Sequence, residues 1–122
     1  CYIFQNDGLH QLTRDQAWAQ DLVDSGAMTR TTAERSRWAN VLSSSVGGDT
    51  ATPEVTRITR DWGDVVLLCS DGLTKHVSDD LLEERVRSMA TSKELCERLL
   101  DDALEGGGSD NITIVVGRTL AG

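Results

Sequence analysis

The sequence predicts an α+β fold, with antiparallel sheets flanked by helix pairs, and three features carry the prediction. Strand-like runs are joined by tight turns, not by helical crossovers, and the two best helical patterns follow one another in the chain. The strongest apolar run, Val65-Val66-Leu67-Leu68-Cys69, is too short for a free-standing helix and rich in β-branched residues. The resulting order is hairpin, helical insert, hairpin, helix pair and final strand, which suits layered antiparallel sheets better than a doubly wound parallel one.

Residues 1–5 read as an apolar strand, Asn6-Asp7-Gly8 as a tight turn, and residues 9–12 as the returning arm of a hairpin. Thr13 with Gln16 three positions on has the form of a capping box for a helix over 14–24, where Trp18 and Leu22 lie one turn apart and Ser25-Gly26 makes the stop. Thr31 with Glu34 repeats the signature and opens a short polar helix to about residue 38. The segment 15–40 is thus helical but thinly apolar, and it reads either as a flap that can move or as a plain surface connection. The small-residue stretch 40–49, with its Gly47-Gly48 turn, lacks the Lys and the Ser/Thr of a nucleotide loop, which excludes that reading.

Residues 54–60 read as an edge strand with weak alternation, turned by Trp62-Gly63-Asp64 into the strand 65–69, which is apolar enough to be buried on both faces. Ser78 caps a helix whose first turn carries Asp79 and Asp80, the charges its dipole favours, and whose stripe is Leu82, Val86 and Met89. Thr91 with Glu94 is a further capping box, opening a helix with Leu95, Leu99 and Ala103 flanked by Cys96, Leu100 and Leu104. The glycines 106–108 stop it, and residues 112–116 form the last strand.

A chain of 122 residues is one domain or part of one. The formal charge of −8 disfavours nucleic acid and anionic membrane as partners and is compatible with divalent metal. Cys1, Cys69 and Cys96 form no ligand-spaced cluster, and an odd number argues against a disulfide framework, so a reducing cytoplasm is the expected location. No apolar run approaches a membrane span, and no signal peptide is expected. Cys1 already reads as strand, so the chain is expected to begin inside a longer protein.

Chemistry is concentrated in two acidic turns. Ser70-Asp71-Gly72 follows the strand 65–69, and Gly108-Ser109-Asp110-Asn111 precedes the strand 112–116. An Asp-Gly pair is also an ordinary turn dipeptide. If these two strands are antiparallel neighbours, however, Asp71 and Asp110 meet at one sheet edge, where two carboxylates repel unless a cation or a shared proton lies between them. Hard oxygen donors suit Mg²⁺, Mn²⁺ or Ca²⁺ and not zinc.

Leu12-Thr13-Arg14-Asp15, Asn40-Val41-Leu42 with Gly47-Gly48-Asp49, Leu67-Leu68-Cys69-Ser70-Asp71-Gly72-Leu73, Val77-Ser78-Asp79 and Gly108-Ser109-Asp110-Asn111-Ile112-Thr113 occur in this order over nearly the whole chain. In these pieces the sequence resembles the metal-dependent Ser/Thr protein phosphatases of type 2C, in their bacterial form. The resemblance implies a sandwich of two antiparallel sheets flanked by helix pairs. It also implies a two-metal Mg²⁺ or Mn²⁺ site and hydrolysis of phosphoserine or phosphothreonine in proteins by a metal-activated water. It matches Asp71 and Asp110 to two metal-binding aspartates, with Gly72 and Asn111 as their neighbours, and the segment 15–40 to the family's flap, leaving 54–122 as the metal-site core.

Gln16 stands where the family usually has a histidine after the aspartate. The family's first half, with its metal-bridging Asp-Gly, its second-site glutamate, phosphate-binding arginine and proposed general-acid histidine, has no counterpart here. His10 and His76 read as surface residues, and no catalytic residue is identifiable. The chain therefore resembles the C-terminal half of such a domain, with the N-terminal half as its missing partner, and it is expected to bind metal weakly and to be inactive alone. Activity of the chain alone would point to Asp49, Asp64 or a partner chain as what completes the site. A non-catalytic regulatory module on the same scaffold is the alternative; a calcium-stabilised structural domain is disfavoured because the acids do not form a calcium loop.

Overall fold

The computed structural model describes residues 1–39 and 41–121. They form two compact units, one of residues 1–12 with 57–122 and one of residues 13–56.

The first unit is an antiparallel four-stranded sheet with helices on one face. Its strands are β1 (Tyr2–Gln5), β2 (Gly8–Gln11), β3 (Val65–Cys69) and β4 (Ile114–Arg118), in the order β2-β1-β3-β4. Asn6 and Asp7 take φ of 50° and 65°, the left-handed values that a two-residue hairpin turn needs to match strand twist, and Gln5 then pairs with Gly8. Tyr2 stands opposite Leu67, and Cys69 opposite Ile114.

Period-2 alternation turns Tyr2, Phe4, Leu9, Val65, Leu67, Cys69, Ile114 and Val116 to one face. Against it pack α3 (Asp71–Thr74), α4 (Asp79–Arg87) and α5 (Ser92–Glu105) through Leu73, Val77, Leu82, Val86, Leu95, Leu99 and Ala103. Ser78 caps α4 and Thr91 with Glu94 forms a complete capping box on α5, as their spacing predicts. Arg85 reaches from α4 to Asp102 of α5 with two hydrogen bonds of 2.7 and 3.0 Å. The hairpin is tied to α4 by Tyr2 Oη donating to Asp79 and by Leu9 N–H donating to Glu83.

Three expectations are corrected. Residues 54–60 form no strand; both neighbours of β3 are taken, by β1 and β4. β3 is buried on one face only among the described residues, since Leu68 and its partner Val115 are 50% and 54% exposed. The last strand starts at Ile114 and not at Ile112; the Thr113 amide is held by the Ser70 side chain at 3.0 Å. The antiparallel α+β class is as the sequence predicts, and among the described residues it consists of one sheet with its helix pair.

In the second unit, α1 (Trp18–Asp24) and α2 (Arg30–Glu34) are shorter than expected. The Thr13–Gln16 box does not form. Ala17 occupies the N-cap without a side-chain bond, while Gln16 donates to the Thr52 carbonyl at 2.7 Å. Arg14, outside the helix, forms ion pairs with Asp21 and Asp24 and holds both carboxyls below their usual range. The cap of α2 is Thr29, whose hydroxyl accepts from Thr32 N–H, and not Thr31; Glu34 instead faces Arg30 at 3.7 Å. The expected end of this helical segment at Asn40 lies outside the described residues, as does the first residue of Asn40-Val41-Leu42.

Leu99 is fully buried, so Leu99→Ala is expected to lower unfolding free energy by about 2–5 kcal/mol, measured by urea denaturation. Glu83 is held below its usual range by the Arg87 guanidinium first and the Leu9 amide second. A carboxyl depressed in the folded state adds stability above its unfolded pKa and loses it as pH falls through the folded value. The Tm advantage of wild type over Glu83→Gln is therefore expected to be full at neutral pH, to begin to shrink as pH falls through the ordinary glutamate range, and to disappear only below the depressed folded-state pKa.

Candidate active site at the β3–β4 edge

Because β3 and β4 are antiparallel, the residue after the first and those before the second come to one end of the sheet. Ser70 continues the ladder: its amide donates to the Thr113 carbonyl at 3.0 Å. Its hydroxyl donates to the Asn111 carbonyl at 3.2 Å and accepts from Thr113 N–H. The two acidic turns are thus joined by one serine.

Gly72 explains how close they come. A Cβ on this residue would lie 2.1 Å from the Asn111 carbonyl oxygen and 2.9 Å from its carbon, so only glycine admits the backbone of the second turn. Asp71 begins α3 and Gly72 and Leu73 are buried within it, so the Asp-Gly is the first turn of a helix and not a free loop.

The second turn is shaped by His76. Its Nε2 accepts from Ser109 N–H at 3.1 Å and lies 2.9 Å from the Ser109 hydroxyl. A Cβ on Gly106 would stand 2.9 Å from His76 Cβ, so this glycine is required by contact as well as by helix termination. His10 is exposed, whereas His76 is half-buried and works as a backbone acceptor, a role that its sequence context did not signal.

Asp71 and Asp110 are brought together. The Lys75 ammonium lies between them, 3.0 Å from Asp71 Oδ2 and 2.7 Å from Asp110 Oδ2. Asp110 Oδ1 accepts from the Asn111 amide at 2.8 Å. Lys75, followed by the Asn111 N–H, holds the Asp110 carboxyl below its usual range, and Asp110, followed by Asp71, raises Lys75. The sequence reading missed Lys75. The available signal was its position four residues after Asp71, which puts both on one helical face.

Asp64 is not part of this group. It precedes β3, whereas Asp71 follows it, and a five-residue strand spans about 17 Å. Its carboxylate is buried and accepts from Asp61 N–H at 2.7 Å. Asp49 belongs to the unit 13–56 and is exposed.

Two exposed hard carboxylates that already share one cation fit part of a divalent-cation site. They do not fit a whole one, for no cluster of three or more metal-ligating side chains exists among the described residues. No described helix is long and apolar enough to cross a membrane.

Comparison with known proteins gives this edge its class. The protein phosphatase 2C pattern matches residues 39–112, more than half of the chain, and the chain belongs to that family. Among its relatives, the serine/threonine protein phosphatase PstP of Mycobacterium tuberculosis is 36% identical over 115 residues, which are 94% of this chain and 22% of the relative. The serine/threonine phosphatase stp of Listeria innocua is 32% identical over 94% of this chain and 46% of its own length.

The fold is likewise similar to the crystal structure of the M. tuberculosis phosphatase PstP/Ppp, with a TM-score of 0.87 and 35% identity over 98% of this chain and 51% of that one. A structure of the PstP catalytic domain in complex with two manganese ions gives a TM-score of 0.79 at 33% identity, covering 49% of that chain. The chain therefore spans about half or less of the relatives that it matches.

Gly72→Ala is expected to separate the two turns while leaving the core intact. The amide resonances of Ser70, Asp110 and Asn111 should shift in an ¹⁵N correlation spectrum while those of α5 stay in place. Unchanged resonances at the edge would refute the steric argument.

Proposed function

We propose that this chain is the C-terminal part of the catalytic domain of a metal-dependent Ser/Thr protein phosphatase, and that Asp71 and Asp110 lend their carboxylates to its Mg²⁺ or Mn²⁺ site. The observation that carries the reading is the meeting of these two acids around one cation, in a chain of this family. Bound divalent metal would supply an activated water at neutral pH and charge neutralisation at phosphorus.

The chain's own residues hold the two acids at a fixed separation. Ser70 and Gly72 lock the turns together, His76 fixes the glycine loop, and the Asn111 amide holds Asp110 through Oδ1 while Oδ2 meets Lys75. The remaining ligands, and the groups that bind phosphate, come from the rest of the catalytic domain, which would also cover the open sheet face at Leu68 and Val115. The substrates are phosphoserine and phosphothreonine proteins, the setting is signalling in a reducing cytoplasm, and the flap-like stretch 15–40 influences substrate choice and metal dependence. The odd number of cysteines without ligand spacing supports that compartment.

Activity is tested with a phosphothreonine peptide and Mn²⁺, using this chain alone and joined to the N-terminal half of the domain. The joined protein is expected to hydrolyse the peptide, to stop on chelation, and to lose more than about a hundredfold in kcat with Asp110→Asn. The chain alone is expected to be inactive. Hydrolysis that survives both chelation and Asp110→Asn would overturn the reading, and a joined protein without activity would favour a regulatory module on the phosphatase scaffold.

A further inference from the structure

Asp110 meets its two nearest donors through different oxygens. Oδ1 is engaged by the Asn111 amide at 2.8 Å, and Oδ2 is the atom that Lys75 holds at 2.7 Å. Asp71 likewise meets Lys75 through Oδ2, at 3.0 Å. An ammonium has three donors and no acceptor, so it cannot join these carboxylates in binding a cation and can only compete for their lone pairs.

Two independent features hold the lysine in position. It closes the single turn of α3, one helical turn after Asp71, which puts its stem on the same face. Asp110 arrives from the other side through the Gly72–Asn111 approach, which is set by backbone and does not depend on the lysine.

We infer that Lys75 is an internal counter-cation of the metal site: it offsets the repulsion between Asp71 and Asp110 without metal, and a divalent ion enters only by displacing it. This rests on the metal-site reading above and adds to it a residue that sets the metal threshold. Below that threshold the ammonium occupies the two carboxylates that free Mg²⁺ or Mn²⁺ would bind, and loading requires the departure of this side chain. Each of the two partly exposed ion pairs is worth a factor of a few, so removing the charge is expected to tighten divalent-ion binding roughly tenfold.

The experiment is a Mn²⁺ titration of the 122-residue chain, read by paramagnetic broadening of amide resonances, on wild type, Lys75→Met, Lys75→Gln and Asp110→Asn. Thermal unfolding in chelator is measured beside it. Broadening centred on residues 70–72 and 109–111 is expected at about tenfold lower Mn²⁺ in both lysine variants than in wild type, together with a lower metal-free Tm and its recovery by Mn²⁺. Should Lys75→Met not fold, Lys75→Gln, which keeps a polar side chain of similar length, carries the test.

Equal or weaker Mn²⁺ binding in the folded lysine variant, with Asp110→Asn abolishing binding in wild type, overturns the competition and leaves the metal site standing. Broadening that is absent from the β3–β4 edge, or unaltered by Asp110→Asn, overturns the metal site and with it the inference.

Discussion

Antiparallel pairing of β3 with β4 is the constraint on which the rest depends. It turns two acids that lie far apart in sequence into neighbours, and it does so through backbone, with Ser70 and Gly72 as the joint. Like charges brought together raise the free energy of the folded state unless something offsets them. Here Lys75 and the Asn111 amide do so, at an edge where the Asp71 side chain is 70% exposed and that of Asp110 41%. The site is held by contact geometry, whereas the stability of the unit comes from the other side of the sheet, where Leu67, Leu73, Leu82 and Leu99 are sealed together.

That separation leaves the site shallow. The acids lie on the rim of the sheet, accessible to ions, while the helices behind pack against β3 and β4. The sheet's outer face, with Leu68 beside Val115, offers an apolar surface suited to a second layer, which agrees with a chain that spans half or less of its relatives.

Legibility followed how local the determining physics was. The hairpin at Asn6-Asp7, the caps at Ser78 and Thr91, and the apolar stripes of α4 and α5 depend on residues within a few positions of each other, and each was readable. The meeting of Asp71 and Asp110 was readable because strand direction alone decides it. The capping signatures at Thr13 and Thr31 misled because the competing partners lie elsewhere: Gln16 is drawn to Thr52 and Glu34 faces Arg30. Residues 54–60 carried β-branched residues without alternation, and no free strand edge beside β3 was left for them. His76 read as a surface residue and Lys75 was not singled out, because Ser109 and Asp110, which give them their roles, lie over thirty positions away.

The strand order β2-β1-β3-β4 seats β3 beside β1, while the chain reaches β3 from β2 by an excursion that includes the whole segment 13–56. Closing a loop costs free energy only with the logarithm of its length, so doubling that excursion adds just about 0.6 kcal/mol. The excursion between β2 and β3 can therefore be lengthened or shortened at little cost to the sheet or to its acidic edge.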